Sequence, residues 1–360
     1  MRLPLAVLAL AALAGCDAAD DAPTLADVPA DRRVAFVAVY DETTADGAPV
    51  HRVVVADIED PTVFEVISRP DHFSVSPHLS RDGQQVLFGD RTIGPVSAVQ
   101  YVRYDLRTGR ADTLGHVPPG GEVARPILVG LGSPVVWERD GRGFYFTNPT
   151  PPFSGKQDVL RFRFADGYFE RVHDSGPYTT TVIGMKGADT LVVFSVEPLG
   201  FPEFDPDDGL SEHGGVFYMS LDGAFLGRAN NPNLTYLYDG PTSVRQILWP
   251  SWNDEEGLLA YTLIEPNPNP DALRSYVTKI AVADLEGGFF RTYTAGDHYD
   301  SSPNWGPEGT ILFDRVRDAS DAAQTHRAMV LNVETGSIRS LADPTIYGAA
   351  GTGSPSAVNR

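Results

Sequence analysis

Two short runs carry residue types that could do chemistry: Asp71-His72-Phe73 and Asp297-His298-Tyr299. Each sets a carboxylate, an imidazole and an aromatic ring side by side. Imidazole and carboxylate are ligands for a divalent metal. Aromatic rings with a few convergent polar groups also line sugar and peptide sites. Tyr178, Arg245 and Tyr347 fall near the same point of the pattern described below. The competing reading is structural: Asp and His bond to neighbouring strands while the rings pack. His51, His78, His116, His173, His213 and His326 share no spacing and read as surface or packing residues.

The elements that must position these runs form a repeat. Ser76-Pro77-His78-Leu79-Ser80-Arg81-Asp82-Gly83 leads into Val86-Leu87-Phe88. Ser133-Pro134-Val135-Val136-Trp137-Glu138-Arg139-Asp140-Gly141 leads into Phe144-Tyr145-Phe146. Pro250-Ser251-Trp252 and Ser302-Pro303-Asn304-Trp305 open two further copies, ending in turns at Gly257 and Gly309. The common form is Pro, an apolar residue or Trp, a polar turn closing on Gly, then an apolar strand. That is a β-hairpin whose Gly supplies the positive φ of a tight turn. A second strand pair follows each hairpin, as in Val216 to Leu221, Asp222-Gly223 and Ala224 to Arg228. Four antiparallel strands per unit is the arrangement of propeller blades.

The unit over Thr180 to Val196 has the hairpin shape without the Pro-Trp signature. The first unit shows three strands, Val34 to Tyr40, Val53 to Asp57 and Val63 to Ile67. Gly353-Ser354-Pro355-Ser356-Ala357 matches the opening of the other hairpins and then stops. The expectation is an all-β, six-bladed propeller in which the C-terminal strand closes the first blade and removes two sheet edges. Val28 to Arg33 resembles the second half of a hairpin turn. Trp137, Trp252 and Trp305, inside the signature, are expected to pack between blades.

Composition excludes several classes. The chain has 360 residues, 28 Lys and Arg against 48 Asp and Glu, and a formal charge of −20. Nucleic acid is not an expected partner, since phosphate binding needs clustered cations. One Cys excludes internal disulfides and Cys-rich metal centres. The 35 Gly and 29 Pro favour many short strands over long helices. No phosphate loop, His-Glu-x-x-His, dinucleotide fingerprint or Gly-x-Ser-x-Gly elbow is present. Pro198 to Gly215 is a long acidic insertion whose spacing does not meet that of a calcium loop.

The N-terminus has its own logic. Met1-Arg2 precedes an apolar run, Leu3 to Ala14, too short to span a bilayer but suited to a signal peptide. It ends in Leu13-Ala14-Gly15-Cys16, which resembles a bacterial lipobox. That resemblance implies cleavage before Cys16 and lipid on its thiol, hence anchoring to a bacterial envelope membrane, inner or outer. Asp17 to Asp31 reads as an acidic tether. The expected division is signal peptide 1–15, lipidated Cys and tether 16–31, and propeller 32–360.

The hairpin signature is similar to the repeat of TolB-type six-bladed β-propellers, over Val34 to Val358. Ser80-Arg81-Asp82-Gly83 and Gly306-Pro307-Glu308-Gly309 are near matches to that family's Ser-Pro-Asp-Gly turn; the turns at Gly141 and Gly257 are looser. Such propellers host binding, scaffold and enzyme roles alike. The leading expectation is a monomeric, lipid-anchored, non-catalytic module that binds an envelope protein or glycan, with no cofactor. The alternative is a metal-dependent enzyme resembling lyase-type propellers. Its candidate site is one mouth of the central channel, where Asp71, His72, Asp297, His298, Tyr299, Tyr178, Arg245 and Tyr347 would converge and could hold a divalent metal.

Overall fold

A computed structural model describes residues 23–43, 49–70, 72–92, 100–114, 134–149, 157–175, 179–196, 214–234, 237–238, 244–268, 276–295, 298–316, 326–341, 343–347 and 351–357. Its strands form six blades of four antiparallel strands arranged in a ring. Blade 2 shows the plan: His72–Leu79 innermost, then Gln85–Thr92, Gln100–Asp105 and, outermost, Arg110–Leu114. Blades 3, 4, 5 and 6 begin with inner strands Val135–Trp137, Thr179–Lys186, Val244–Asn253 and Tyr299–Trp305.

Blade 1 is built from both ends of the chain. Gly351–Ala357 is its inner strand and pairs antiparallel with Arg33–Thr43, which pairs in turn with Pro49–Asp57 and then Phe64–Val66. Val34 faces Ala357 and Ala38 faces Thr352 in this closure. The C-terminal strand therefore fills the place that the opening hairpin pattern left vacant.

The core is divided among the blade joints. Six clusters of buried apolar residues each join two neighbouring blades. The second strand of every blade is buried on both faces, as in Val86-Leu87-Phe88, Phe144-Tyr145-Phe146 and Ile311-Leu312-Phe313. Trp305 donates its indole N–H to the Ser251 carbonyl of blade 5 at 2.9 Å, and Trp252 donates to Met185 of blade 4 at 3.0 Å. These two rings are buried between blades as expected; Trp137 is only half-buried.

The inner strands of blades 2, 5 and 6 bulge where the sequence carries their proline. The register shifts between Val75 and His78, between Leu248 and Ser251, and between Ser301 and Asn304. A bulge needs no ladder N–H from the residue it extrudes, so proline is tolerated there. It also frees neighbouring amides, and the preceding blade takes them up. Thr262 Oγ1 accepts the Ser302 N–H at 3.2 Å, and Thr147 Oγ1 accepts the Val182 N–H at 3.0 Å. Buried backbone donors must find acceptors, so these threonines fix the stagger between blades.

The packed chain starts before the expected boundary at residue 32. Residues Leu25–Asp27 and Ala30–Arg32 form two 3₁₀ turns rather than half a hairpin. Leu25 and Val28 are buried in the joint between blades 1 and 2. Buried Arg33 ties this segment down, donating to Val28 O at 3.1 Å and to Gly83 O at 2.9 Å. Gly83 stands at φ +63°, and a Cβ there would lie 2.8 Å from Ala30. The cause is apolar: the joint offers Leu25 and Val28 a dry surface that a solvated tether lacks.

Candidate functional site: the propeller channel

Register defines the channel wall. His78 pairs with Leu87, Val136 with Tyr145, Gly184 with Val192, Ser251 with Ala260, Asn304 with Leu312 and Ser356 with Ala35. These six residues occupy one repeat position, one per blade, and all six line a single cavity of about 80 Å³. The layer is two-sided. Blades 5, 6, 1 and 2 contribute Ser251, Asn304, Ser356 and His78, while blades 3 and 4 contribute Val136 and Gly184 beside Ile183 and Met185.

A second cavity of about 50 Å³ shares His78, Pro134 and Asn304 with the first and is walled by the bulges. Ser76, Trp249 and Ser302, each just before its proline, stand there at φ +49°, +47° and +54°. Residues before proline normally take extended conformations, and a bulky residue at positive φ is strained. The ring of blades imposes this strain at one level of the channel. Trp137, Trp252 and Trp305 contribute to the wall of the first cavity and Trp249 to that of the second, the rings of Trp252 and Trp305 staying buried at the blade joints.

Charge gathers at the mouth formed by the first turn of each blade. Arg81, Arg139 and Asp254 fall at equivalent places in the turns of blades 2, 3 and 5. Arg139 pairs with Asp254, and Asp254 also accepts the Gly187 N–H of blade 4 at 3.0 Å. Arg81 lines the larger cavity. Burial holds its pKa below the ordinary arginine value, the nearby charge of Arg139 acts the same way, and Glu255 opposes them.

Several residues read from the sequence as a site lie elsewhere or do different work. Asp71, Asp297, Tyr178 and Cys16 lie outside the described residues, as does the side chain of Arg245, whose backbone pairs with Leu237. His72 is buried at the head of the inner strand of blade 2, with Nδ1 2.5 Å from Asp90 Oδ2. Asp90 also accepts the Ser74 hydroxyl at 2.7 Å. His298 and Tyr299 are half-buried at the head of the inner strand of blade 6. The inner strand of blade 1 lies between those two strands, touching both. Among the described residues no three His, Cys, Asp or Glu form a group able to hold a metal.

Tyr347 leaves the expected mouth altogether. It is buried in the joint of blades 6 and 1, its ring against Phe36 and Phe64 at 5.2 and 4.8 Å, with its hydroxyl donating to Pro61 O at 2.9 Å. Packing on Phe36 and Phe64 outweighs exposure of so large a ring.

Sequence reasoning missed two further features. Buried Asp300 receives both Nε and Nη2 of Arg315, at 2.7 and 2.8 Å, at the repeat position that Ser74 and Asp90 occupy in blade 2. His78, read as a surface or packing residue, stands in the channel wall. The signal for the charged mouth was the recurrence of Arg-Asp-Gly at Arg81 and Arg139.

No protein-family model matches this chain, and no curated protein matches it in sequence. Its structure is similar to TolB from Acinetobacter baumannii, with TM-score 0.60 and 13% identity over 91% of this chain and 67% of that one. It is also similar to the Kuenenia stuttgartiensis hydrazine synthase, with TM-score 0.55 and 11% identity over 91% and 47% of the two chains. The β-propeller domain of the Trilobed protease from Pyrococcus furiosus gives TM-score 0.52 and 14% identity over 88% and 93%. Likeness at this identity establishes the fold alone: a TolB-like six-bladed β-propeller. A synthase and the propeller domain of a protease stand among these neighbours, as expected where sites are grafted on a common scaffold.

Proposed function

We propose that the protein is a lipid-anchored module of a bacterial cell envelope that binds a partner protein or glycan through its propeller channel, without catalysis. The observation that carries this reading is the channel wall. Half-buried Trp137 and Trp249 stand in it, together with three strained pre-proline residues, Trp249 among them. Aromatic anchors in a preformed, partly polar cleft are the usual makings of a recognition site. The TolB likeness supports a binding role at the level of fold. Leu13-Ala14-Gly15-Cys16 supports the anchor. From Cys16 to Leu25 the chain reaches about 30 Å at most. In this reading the lipid therefore holds the turn side of blade 2, where Arg33 meets Gly83, toward the membrane.

The test is photo-crosslinking from residue 249. A benzoylphenylalanine replacing Trp249 is expected to trap an envelope protein or glycan in detergent extracts of the native cells. The same label at exposed Tyr168 on the outer edge of blade 3 is not. Equal labelling from both positions, or none from 249, overturns channel binding. Palmitate labelling lost on Cys16→Ser checks the anchor separately.

A further inference from the structure

Many arginines of this protein pair with an acid, and others, such as buried Arg33, donate to backbone carbonyls. Arg32 pairs with Asp57, Arg103 with Asp112, Arg139 with Asp254, Arg161 with Glu138 and Arg315 with Asp300. Arg81 does neither. It is half-buried against the channel cavity, and among the described residues it makes no ion pair and no hydrogen bond. Glu255 influences it only at longer range. Withdrawing a guanidinium from water without a partner is costly, and the costs of folding do not require it at a turn.

A second group in the same cavity has the same property. Ser356, on the inner strand of blade 1, is 5% exposed, and its hydroxyl has no hydrogen-bond partner among the described residues. Both residues line the cavity of about 80 Å³, beside Asn304. That space admits a carboxylate or a phosphate group. A guanidinium fork matches either oxyanion with two parallel N–H donors, and a serine hydroxyl adds a third.

We propose that the turn-side end of the channel is an oxyanion site, in which Arg81 supplies the charge and Ser356 a hydroxyl donor. This deepens the channel-binding reading and rests on it: the segment taken up by the channel would present a carboxylate or phosphate at its leading end. Asp254 stands on the same rim but is neutralised by Arg139 and occupied by the Gly187 amide. It does not cancel Arg81. The strongly negative surface elsewhere makes this end of the channel the place where an anion is admitted.

Tryptophan emission reads the site directly, because Trp137, Trp252 and Trp305 line the cavity. The full chain is titrated with sodium acetate and, separately, sodium phosphate, at constant ionic strength held with chloride. A saturable emission change with one or both is expected, and the arm that saturates at lower concentration names the anion. Arg81→Gln is expected to weaken it about tenfold or more, Ser356→Ala by a few-fold, and Arg81→Lys less than Arg81→Gln, in keeping with one charged and one neutral hydrogen bond. Arg110→Gln, on an exposed strand of blade 2, is expected to leave it unchanged. Melting curves of each variant separate lost binding from lost fold. No saturable change with either anion, or unaltered affinity in a folded Arg81→Gln, overturns the site. If crosslinking from residue 249 still traps a partner in that event, channel binding stands and only the oxyanion assignment falls.

Discussion

Gly184 in blade 4 and Trp252 in blade 5 are a matched pair: a Cβ on residue 184 would lie 2.4 Å from the Trp252 Cβ and 2.7 Å from its ring. The absent side chain lets the indole lie flat on the neighbouring inner strand and reach the Met185 carbonyl. Gly184→Ala is therefore expected to cost about 1–3 kcal/mol through overpacking. In a Trp252→Gly background the same change is expected to be nearly neutral, because both the Cβ and the ring that clash have gone. Urea unfolding of the four proteins in a double-mutant cycle measures this coupling. Additive costs would show that the two residues do not act on each other.

Arg33 locks the N-terminal turns onto the propeller through Val28 O and Gly83 O. Arg33→Ala should release residues 25–32 and cost about 2 kcal/mol, the usual scale for buried hydrogen bonds from a charged group. Hydrogen exchange is the measurement. Amides of 25–32 should exchange faster while those of blades 4 and 5 keep their protection. Uniform loss of protection would mean that Arg33 supports the whole ring instead.

Closure by the C-terminal strand predicts the result of removing it. Without residues 351–360 the strand Arg33–Thr43 loses its inner partner and presents a bare edge. The truncated protein should melt at lower temperature and self-associate on gel filtration. A synthetic peptide of residues 351–360 added in trans should reverse both effects. Unchanged melting would deny that closure contributes to stability.

Tyr145 supplies a pH-dependent prediction. Its ring is fully buried, and its hydroxyl has no hydrogen-bond partner among the described residues. Burial pushes the phenol up to about 12. In the unfolded chain it ionises near 10. Below pH 10 both states hold the proton and the group adds no pH dependence. Between pH 10 and 12 the unfolded state has released it and the folded state has not, so stability falls as pH rises, by about 1.4 kcal/mol per pH unit for one such phenol. Tyr145→Phe should flatten that fall and cost nothing at pH 8, since no hydrogen bond is lost. A stability loss at pH 8 would reveal a partner for the hydroxyl.

Much of the fold was legible because a propeller repeats. Pro at the bulge, Gly in the turn and the apolar triplet of the second strand recur at blade spacing. Each repetition tests the reading of the others, which is how the blade over Thr179–Lys186 was found without its tryptophan. The incomplete first unit and the orphan Ser354-Pro355-Ser356 could be joined on the same ground. The site was less legible. Asp-His-aromatic runs at matching places suggested convergence, but residues at matching places belong to different blades. His72 is engaged by Asp90 within its own blade, and Tyr347 is absorbed by a joint.

What the sequence determined by itself was local: strand periodicity, turn chemistry, blade number and the partner of the missing strand, all fixed by short-range pattern. The tertiary structure decided which residues share a surface. His78, Val136, Gly184, Ser251, Asn304 and Ser356 span nearly the whole chain and share one layer only because the ring curls their strands around an axis. Whether a given Arg finds an acid is decided in the same way. Arg139 meets Asp254 from two blades away and, among the described residues, Arg81 pairs with none, although both lie in the same turn sequence. Pairing energies fall off over a few ångströms, and those distances are set by the closed ring.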